Sequence, residues 1–190
     1  GYISPSSYRL ALTGIKRGGK VRVILPSYLA YGKNGSGSIP SNEIISSTIT
    51  VLPGASQIEV DDSVIQGFIA EKGLTSVIKA PSRVYYQVIT PGTGTAVDIA
   101  STITAKYTGR LLNGSIFDQS GTEAVSLGQL NGLIRGYRVL LGMQKGAKIR
   151  MFIPSDLGYG ISGSRDQLGN VIIPPNAVLD FDIELTDVTN

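Results

Sequence analysis

Gly146-Ala147-Lys148-Ile149-Arg150-Met151-Phe152-Ile153-Pro154-Ser155-Asp156-Leu157-Gly158-Tyr159-Gly160 decides how the chain is built, because it occurs twice. It aligns without a gap on Gly18-Gly19-Lys20-Val21-Arg22-Val23-Ile24-Leu25-Pro26-Ser27-Tyr28-Leu29-Ala30-Tyr31-Gly32, at a constant offset of 128. Ala147, Ile149, Met151 and Ile153 alternate with Lys148, Arg150 and Phe152, the period of a half-buried strand. Both copies continue to an Ile-Pro step, Ile39-Pro40 and Ile173-Pro174, and then to a β-rich run. The loop between is six residues longer in the second copy. A match this long is one structural unit used twice.

The copies differ in completeness. About 70 residues of strand-like sequence precede the second, whereas the first begins almost at residue 1. Residues 1–55 therefore read as the C-terminal half of a unit, residues 56–76 as a helical linker and residues 77–190 as a complete unit. Leu52-Pro53-Gly54 closes the first, and Asp61-Asp62-Ser63 offers an N-cap to an amphipathic helix. Val64, Ile65, Phe68 and Ile69 form its apolar stripe, and Gly73 is its stop. A half-unit leaves a strand edge unpaired, so residues 1–55 are expected to pack on a neighbour or to derive from a longer domain. The opening Gly-Tyr-Ile, without Met, is expected to mark a processed or engineered form.

In the second unit, Val84 to Ile89 is a strand ended by Pro91-Gly92, and Thr102 to Leu112 is another, turned by the hairpin signal Asn113-Gly114. Ile116-Phe117 and Val125-Ser126-Leu127 are short strand candidates, and Leu133 to Met143 is the one expected helix, about three turns. Leu179, Phe181, Ile183 and Leu185 alternate with Asp180, Asp182 and Glu184 as a half-buried strand. The sum is an α+β half-barrel, an antiparallel sheet wrapped around one short helix, with a pocket between them.

Composition narrows the chemistry. Of 190 residues, 42% are apolar and 16% charged, enough to bury a core. Cys, His and Trp are absent, which removes disulfides, thiol and Ser-His catalysis and ordinary Cys/His zinc sites. Gly (24) and Pro (9) favour short strands and turns over a helical bundle. The net charge of +3 is uneven, +5 over residues 1–55 and −2 over the rest. The basic residues alternate with apolar ones, as in Lys20-Val21-Arg22-Val23, the wet face of a strand rather than a nucleic-acid surface. No apolar run approaches the roughly 20 residues that span a bilayer, and no stretch of these residues is expected to act as a signal peptide.

Tyr107-Thr108-Gly109, Gly114-Ser115-Ile116-Phe117-Asp118, Leu127-Gly128, Ile134-Arg135-Gly136-Tyr137, Met143-Gln144-Lys145-Gly146, Ile153-Pro154-Ser155, Tyr159-Gly160, Ile172-Ile173-Pro174-Pro175-Asn176-Ala177 and Leu179 to Leu185 follow in order. From about Ser82 to Val188 this set resembles the FKBP-type peptidyl-prolyl isomerases. Residues 7 to 52 look like the latter half of a second such domain.

The resemblance implies a proline-binding pocket lined by Tyr107, Phe117, Ile134, Tyr137 and Phe181, with Tyr137 where the family usually has Trp. It implies a polar rim of Asp118 and Tyr159, with the Tyr159 hydroxyl and the Ile134 N–H donating to substrate carbonyls. Ile172 and Ile173 would sit on an overhanging loop. Glu123 falls where the family often has a pocket aromatic, so that wall is weaker or Glu123 turns outward. An ungapped alignment of residues 129–143 would put Leu133 and Gly136 in the roles given to Ile134 and Tyr137. In the first copy Tyr8 aligns with the floor and Tyr31 with the rim, but Ser47 replaces Phe181, so that segment is expected not to catalyse.

The expected activity is X-Pro isomerisation in unfolded or extended polypeptides, without cofactor or metal and without nucleic acid. Macrolides are a further ligand class that the resemblance implies. The alternative is a non-catalytic chaperone or peptide-binding scaffold. The tandem arrangement is similar to bacterial envelope isomerases, which implies the periplasm or cell envelope. Membrane attachment would come only through a lipid anchor outside this chain.

Overall fold

The computed structural model describes residues 6–54 and 56–190. The chain divides into two compact units, the first ending at Ala55 and the second beginning at Ser56.

In the first unit, α1 (Ser7–Ala11) is followed by β1 (Lys20–Leu25) and β2 (Ile45–Thr50). β1 and β2 pair antiparallel, Leu25 opposite Ile45 and Lys20 opposite Thr50. Tyr8, Val23 and Leu25 are buried, with Ile45 and Ile49 packed against them. The Tyr8 hydroxyl and Ser47 Oγ are hydrogen-bonded at 2.5 Å. Residues 1–5, where the opening Gly-Tyr-Ile falls, lie outside the described residues.

The second unit opens with α2 (Gln57–Glu71). Its N-cap is Ser56, whose side chain accepts from the Glu59 N–H at 3.3 Å, and not the Asp61-Asp62-Ser63 step. Ser56-Gln57-Ile58-Glu59 carries the Ser-x-x-Glu pattern of a capping box, upstream of the expected start. Asp61 is instead buried inside the helix. The stop is as expected: Gly73 has φ +60, its N–H donates to the Ala70 carbonyl and the Leu74 N–H to the Ile69 carbonyl, a Schellman motif.

Then come β3 (Ile78–Lys79), β4 (Tyr85–Thr90), β5 (Thr102–Leu111), β6 (Ile116–Gln119), β7 (Val125–Gln129), β8 (Lys148–Ile153), β9 (Ser164–Arg165), β10 (Val171–Ile173) and β11 (Leu179–Thr189). One antiparallel sheet runs β3-β4-β8-β11-β5-β6, with β7 also on β5, and β9 and β10 form a separate hairpin. Gly114, at φ +89, turns β5 into β6. Ile153 lies opposite Leu179 and Lys148 opposite Glu184, the register of β1 and β2 shifted by 128 and 134 residues. In this unit β4 flanks β8 and β5 flanks β11; among the described residues β1 and β2 have no such outer neighbours.

The inner face buries Ile103, Ala105, Ile149, Met151, Ile153, Leu179, Ile183 and Leu185 against Leu130 and Leu140. The outer face is covered as well. Ile65 of α2, with Phe68 and Ile69, packs on Tyr85, Phe152 and Val178. Phe152 and Asp180 therefore depart from the half-buried reading of their strands. Phe152 is fully buried under α2, and Asp180, only 1% exposed, is held by Arg110 Nε at 2.9 Å and Arg150 at 2.8 and 3.0 Å. Simple alternation cannot distinguish an outer face covered by a helix from one left to water.

The expected three-turn helix over Leu133 to Met143 is shorter and tighter. A 3₁₀ turn at Leu130–Gly132 precedes a 3₁₀ helix at Arg135–Leu140. Gly132, Gly136 and Gly142 lower α-propensity through this stretch. Gly136 is also pressed onto the sheet, where a Cβ would lie 2.3 Å from Ile153 Cγ2. No described helix is long and apolar enough to cross a membrane.

Candidate functional site

Between the 3₁₀ helix and the inner face of the sheet lies a cavity of about 150 Å³. β5 contributes Tyr107, β6 contributes Phe117 and Asp118, and β7 contributes Leu127. Leu133, Ile134 and Tyr137 come from the helix and its entry, Tyr159 from the turn after β8, and Phe181 from β11. Phe181 is the hub. Phe117 and Tyr137 meet its ring edge-on at 5.4 Å, at interplanar angles of 84° and 77°, and Tyr107 stands 6.4 Å away. Such tilted pairs put the positive edge of one ring on the negative face of the next. Gly109 makes the cluster possible, because a Cβ there would lie 2.6 Å from Phe181 and 2.8 Å from Phe117.

The rim is polar on one side. The Tyr107 hydroxyl donates to Asp118 Oδ2 at 2.8 Å. Burial, and then the Asp118 carboxylate, push the Tyr107 hydroxyl up to about 12. Tyr137 is also raised, by burial first and then by Tyr107, Tyr159 and Asp118. Tyr159 is raised by burial and by Asp118. All three phenols stay protonated at ordinary pH and so remain donors. Among the described residues neither the Tyr159 hydroxyl nor the Ile134 N–H has a hydrogen-bond partner. Two unengaged donors thus border an apolar hollow.

Of the residues singled out in the sequence, Tyr107, Phe117, Asp118, Leu133, Ile134, Tyr137, Tyr159 and Phe181 converge on this cavity. Gly136 does not line it, whereas Leu133, Ile134 and Tyr137 all do. Glu123 is exposed and outside the wall. Leu127 stands in the wall and was missed, although its alternation with Ser126 on β7 was available as a signal. Ile172 and Ile173 stand on β10, in the hairpin with β9. Adjacent strand residues face opposite ways, so Ile173 is buried in the core at 2% exposure and Ile172 is 40% exposed. Neither lines the cavity. A larger depression of about 250 Å³ includes Lys106, Lys148, Asp182 and Glu184, with Lys148 paired to Glu184 at 3.2 Å. Tyr107 is its one aromatic residue.

Comparison with known proteins locates the same part of the chain. A family model described as FKBP-type peptidyl-prolyl cis-trans isomerase matches residues 94–186. FKBP-type peptidyl-prolyl cis-trans isomerase FkpA of Escherichia coli is 37% identical over 123 residues, 64% of this chain and 42% of that protein. Outer membrane protein MIP of Legionella longbeachae is 32% identical over 123 residues, 63% of this chain and 50% of that protein. The chain thus spans about half or less of these relatives' length. A crystal structure of a peptidyl-prolyl cis-trans isomerase from Pseudomonas syringae superposes with a TM-score of 0.58 at 34% identity, over 72% of this chain and 99% of that one.

Proposed function

Because this chain belongs to the FKBP-type peptidyl-prolyl cis-trans isomerase family, we propose that its second unit accelerates rotation about X-Pro bonds in unfolded or extended polypeptides, assisting their folding. The observation that carries this reading is the aromatic hollow around Phe181 with two unengaged donors at its edge. A prolyl bond resists rotation by about 18–20 kcal/mol because twisting breaks amide resonance. The planar amide is charge-separated, and the twisted one has lost much of that separation. A hollow walled by Phe117, Tyr137, Leu127 and Phe181 solvates the less polar twisted state relatively better, which is differential binding of the transition state. The Tyr159 hydroxyl and Ile134 N–H hold flanking substrate carbonyls, so the proline ring enters in one orientation. Acceleration of 10⁴–10⁶-fold requires roughly 5–8 kcal/mol. No proton is transferred.

The same hollow is the proposed seat of macrolide ligands. The first unit we read as a partial copy of the domain, on the strength of its shared strand register. Tyr8 is tied to Ser47 where the second unit stacks Tyr137 on Phe181, so no catalytic role is assigned to it. The proposed location is the bacterial periplasm or cell envelope, supported by the relative whose name places it in the outer membrane.

A protease-coupled assay on a short X-Pro peptide tests the activity. Wild type is expected to accelerate isomerisation, Phe181→Ala to abolish the effect, and Tyr159→Phe to reduce it about tenfold at unchanged thermal stability. Absence of acceleration together with suppressed aggregation of a proline-free client would overturn this in favour of a non-catalytic chaperone.

A further inference from the structure

We propose that Asp61 of α2, which packs on the outer face of the sheet, is a positioning residue for Tyr159 on the rim of the cavity. The inference rests on the isomerase reading above and adds α2 to the working parts of the site.

Asp61 is 2% exposed, and its carboxylate takes three hydrogen bonds. Oδ2 accepts from the Ser155 N–H at 2.8 Å and from Ser155 Oγ at 2.7 Å, while Oδ1 accepts from Gln57 Nε2 at 2.7 Å. Ser155 in turn organises the turn that carries Tyr159. Its carbonyl accepts from the Gly158 N–H at 3.1 Å and from the Gly160 N–H at 2.8 Å, the residues on either side of Tyr159. Gly160 lies at φ +57, and its carbonyl accepts from the Asn176 N–H at 2.8 Å. The next residue, Asp156, is gripped by both terminal nitrogens of Arg83 at 3.1 and 2.6 Å. Its carbonyl takes Arg135 from the 3₁₀ helix at 2.6 Å.

A buried carboxylate is an expensive way to attach a helix. Ile65 and Phe68 already bury the α2 face against Phe152, and an apolar residue at position 61 would serve attachment as well. What the carboxylate supplies is directional. Two donors of one residue converge on one oxygen, fixing Ser155 and thereby the carbonyl on which both glycine amides rest. Tyr159 has no hydrogen bond of its own through its hydroxyl, so its position is set by this turn. The relay therefore runs from Asp61 through Ser155 to the backbone flanking Tyr159.

The test is a double-mutant cycle in the full chain with an X-Pro peptide. Asp61→Ala is expected to lower kcat/KM about tenfold, because small misplacements of an orienting group are costly. Asp61→Asn retains an acceptor oxygen and is expected to recover most of that loss. In a Tyr159→Phe background, Asp61→Ala is expected to add nothing, since the hydroxyl it positions is already gone. An equal additional loss in that background overturns the proposal. Amide hydrogen exchange supplies a readout that needs no activity. In Asp61→Ala, exchange at Gly158 and Gly160 is expected to rise at least tenfold relative to Tyr137, whose N–H donates to the Ile134 carbonyl. Unchanged exchange overturns the relay. If wild type shows no acceleration, the isomerase reading falls and the exchange result alone decides the positioning claim. Should Asp61→Ala not fold, Ser155→Ala removes one of the two converging donors and must shift exchange in the same direction.

Discussion

Gly109 has no side chain, and the cavity depends on that. It sits on β5 between the rings of Phe117 and Phe181, each within 3 Å of where a Cβ would stand. Gly109→Ala is therefore expected to destabilise the second unit by about 1–3 kcal/mol, the cost of an overfilled core. It is also expected to cut kcat/KM at least about tenfold, because the displaced rings are the cavity wall. Thermal denaturation and the peptide assay check the two parts separately. The tyrosines give a second residue-scale expectation. Tyr107 is raised from 10.0 to about 12, and Tyr137 and Tyr159 are raised as well. A group whose folded value lies above its unfolded one contributes stability that is complete below the unfolded value and is lost as pH rises through the folded one. Stability should therefore hold up to pH about 10 and decline above it, and kcat/KM should not fall before that point. A pH series followed by circular dichroism and the peptide assay measures both.

At the scale of elements, α2 carries more than its sequence advertises. Ile65 is fully buried against Tyr85, Phe152 and Val178. Ile65→Ala is expected to cost about 2–5 kcal/mol in the second unit, read as a lowered denaturation midpoint with little change in slope. Asp180→Ala removes the carboxylate that Arg110 and Arg150 share on that same outer face; both are partly exposed and Arg110 keeps Asp182, so a loss of about 1–3 kcal/mol is expected. These two positions also mark where sequence reading ends. Hairpin chemistry at Asn113-Gly114, the stop at Gly73 and the period-2 runs on β8 and β11 are local signals, and each element lies where its signal placed it. Phe152 is buried because a helix distant in sequence lies over it, Asp180 because two arginines close on it, and Asp61 because α2 sets it against Ser155; no local pattern records these contacts. The 3₁₀ geometry at Arg135–Leu140 accompanies three glycines in and beside the segment and the close packing of Gly136 on Ile153. The cavity was legible through the family resemblance: Tyr107, Phe117 and Phe181 lie on strands, but Leu133, Ile134, Tyr137 and Tyr159 lie on the 3₁₀ helix, its entry and a turn, where strand alternation says nothing. Leu127 was overlooked because its strand is short and mostly exposed.

Across the whole molecule, charge is distributed so that acid should act on the two units differently. Asp62 is held below the ordinary 3.8 by Lys79 and the Tyr85 hydroxyl, and Asp156 by Arg83. Asp187 is lowered by Lys145, and Asp166 by Asn170. A carboxylate whose folded value is depressed contributes stability above its unfolded value and loses it as pH falls through the folded one. All four lie in the second unit, whereas the sole acidic residue of residues 1–55 is Glu43. With no His in the chain, no side chain at its ordinary value titrates between about pH 5 and 8. The second unit should therefore hold a flat melting temperature down to about pH 4 and then lose stability progressively toward pH 2. The loss should be modest, because exposed pairs such as Lys145–Asp187 contribute little each and are screened by salt. Residues 56–190 expressed alone should show the same acid midpoint as the corresponding transition of the full chain and should keep its kcat/KM, since every cavity residue lies in that unit. A truncated form that folds but loses most of its kcat/KM would show that the first unit acts on the pocket and would overturn this assignment.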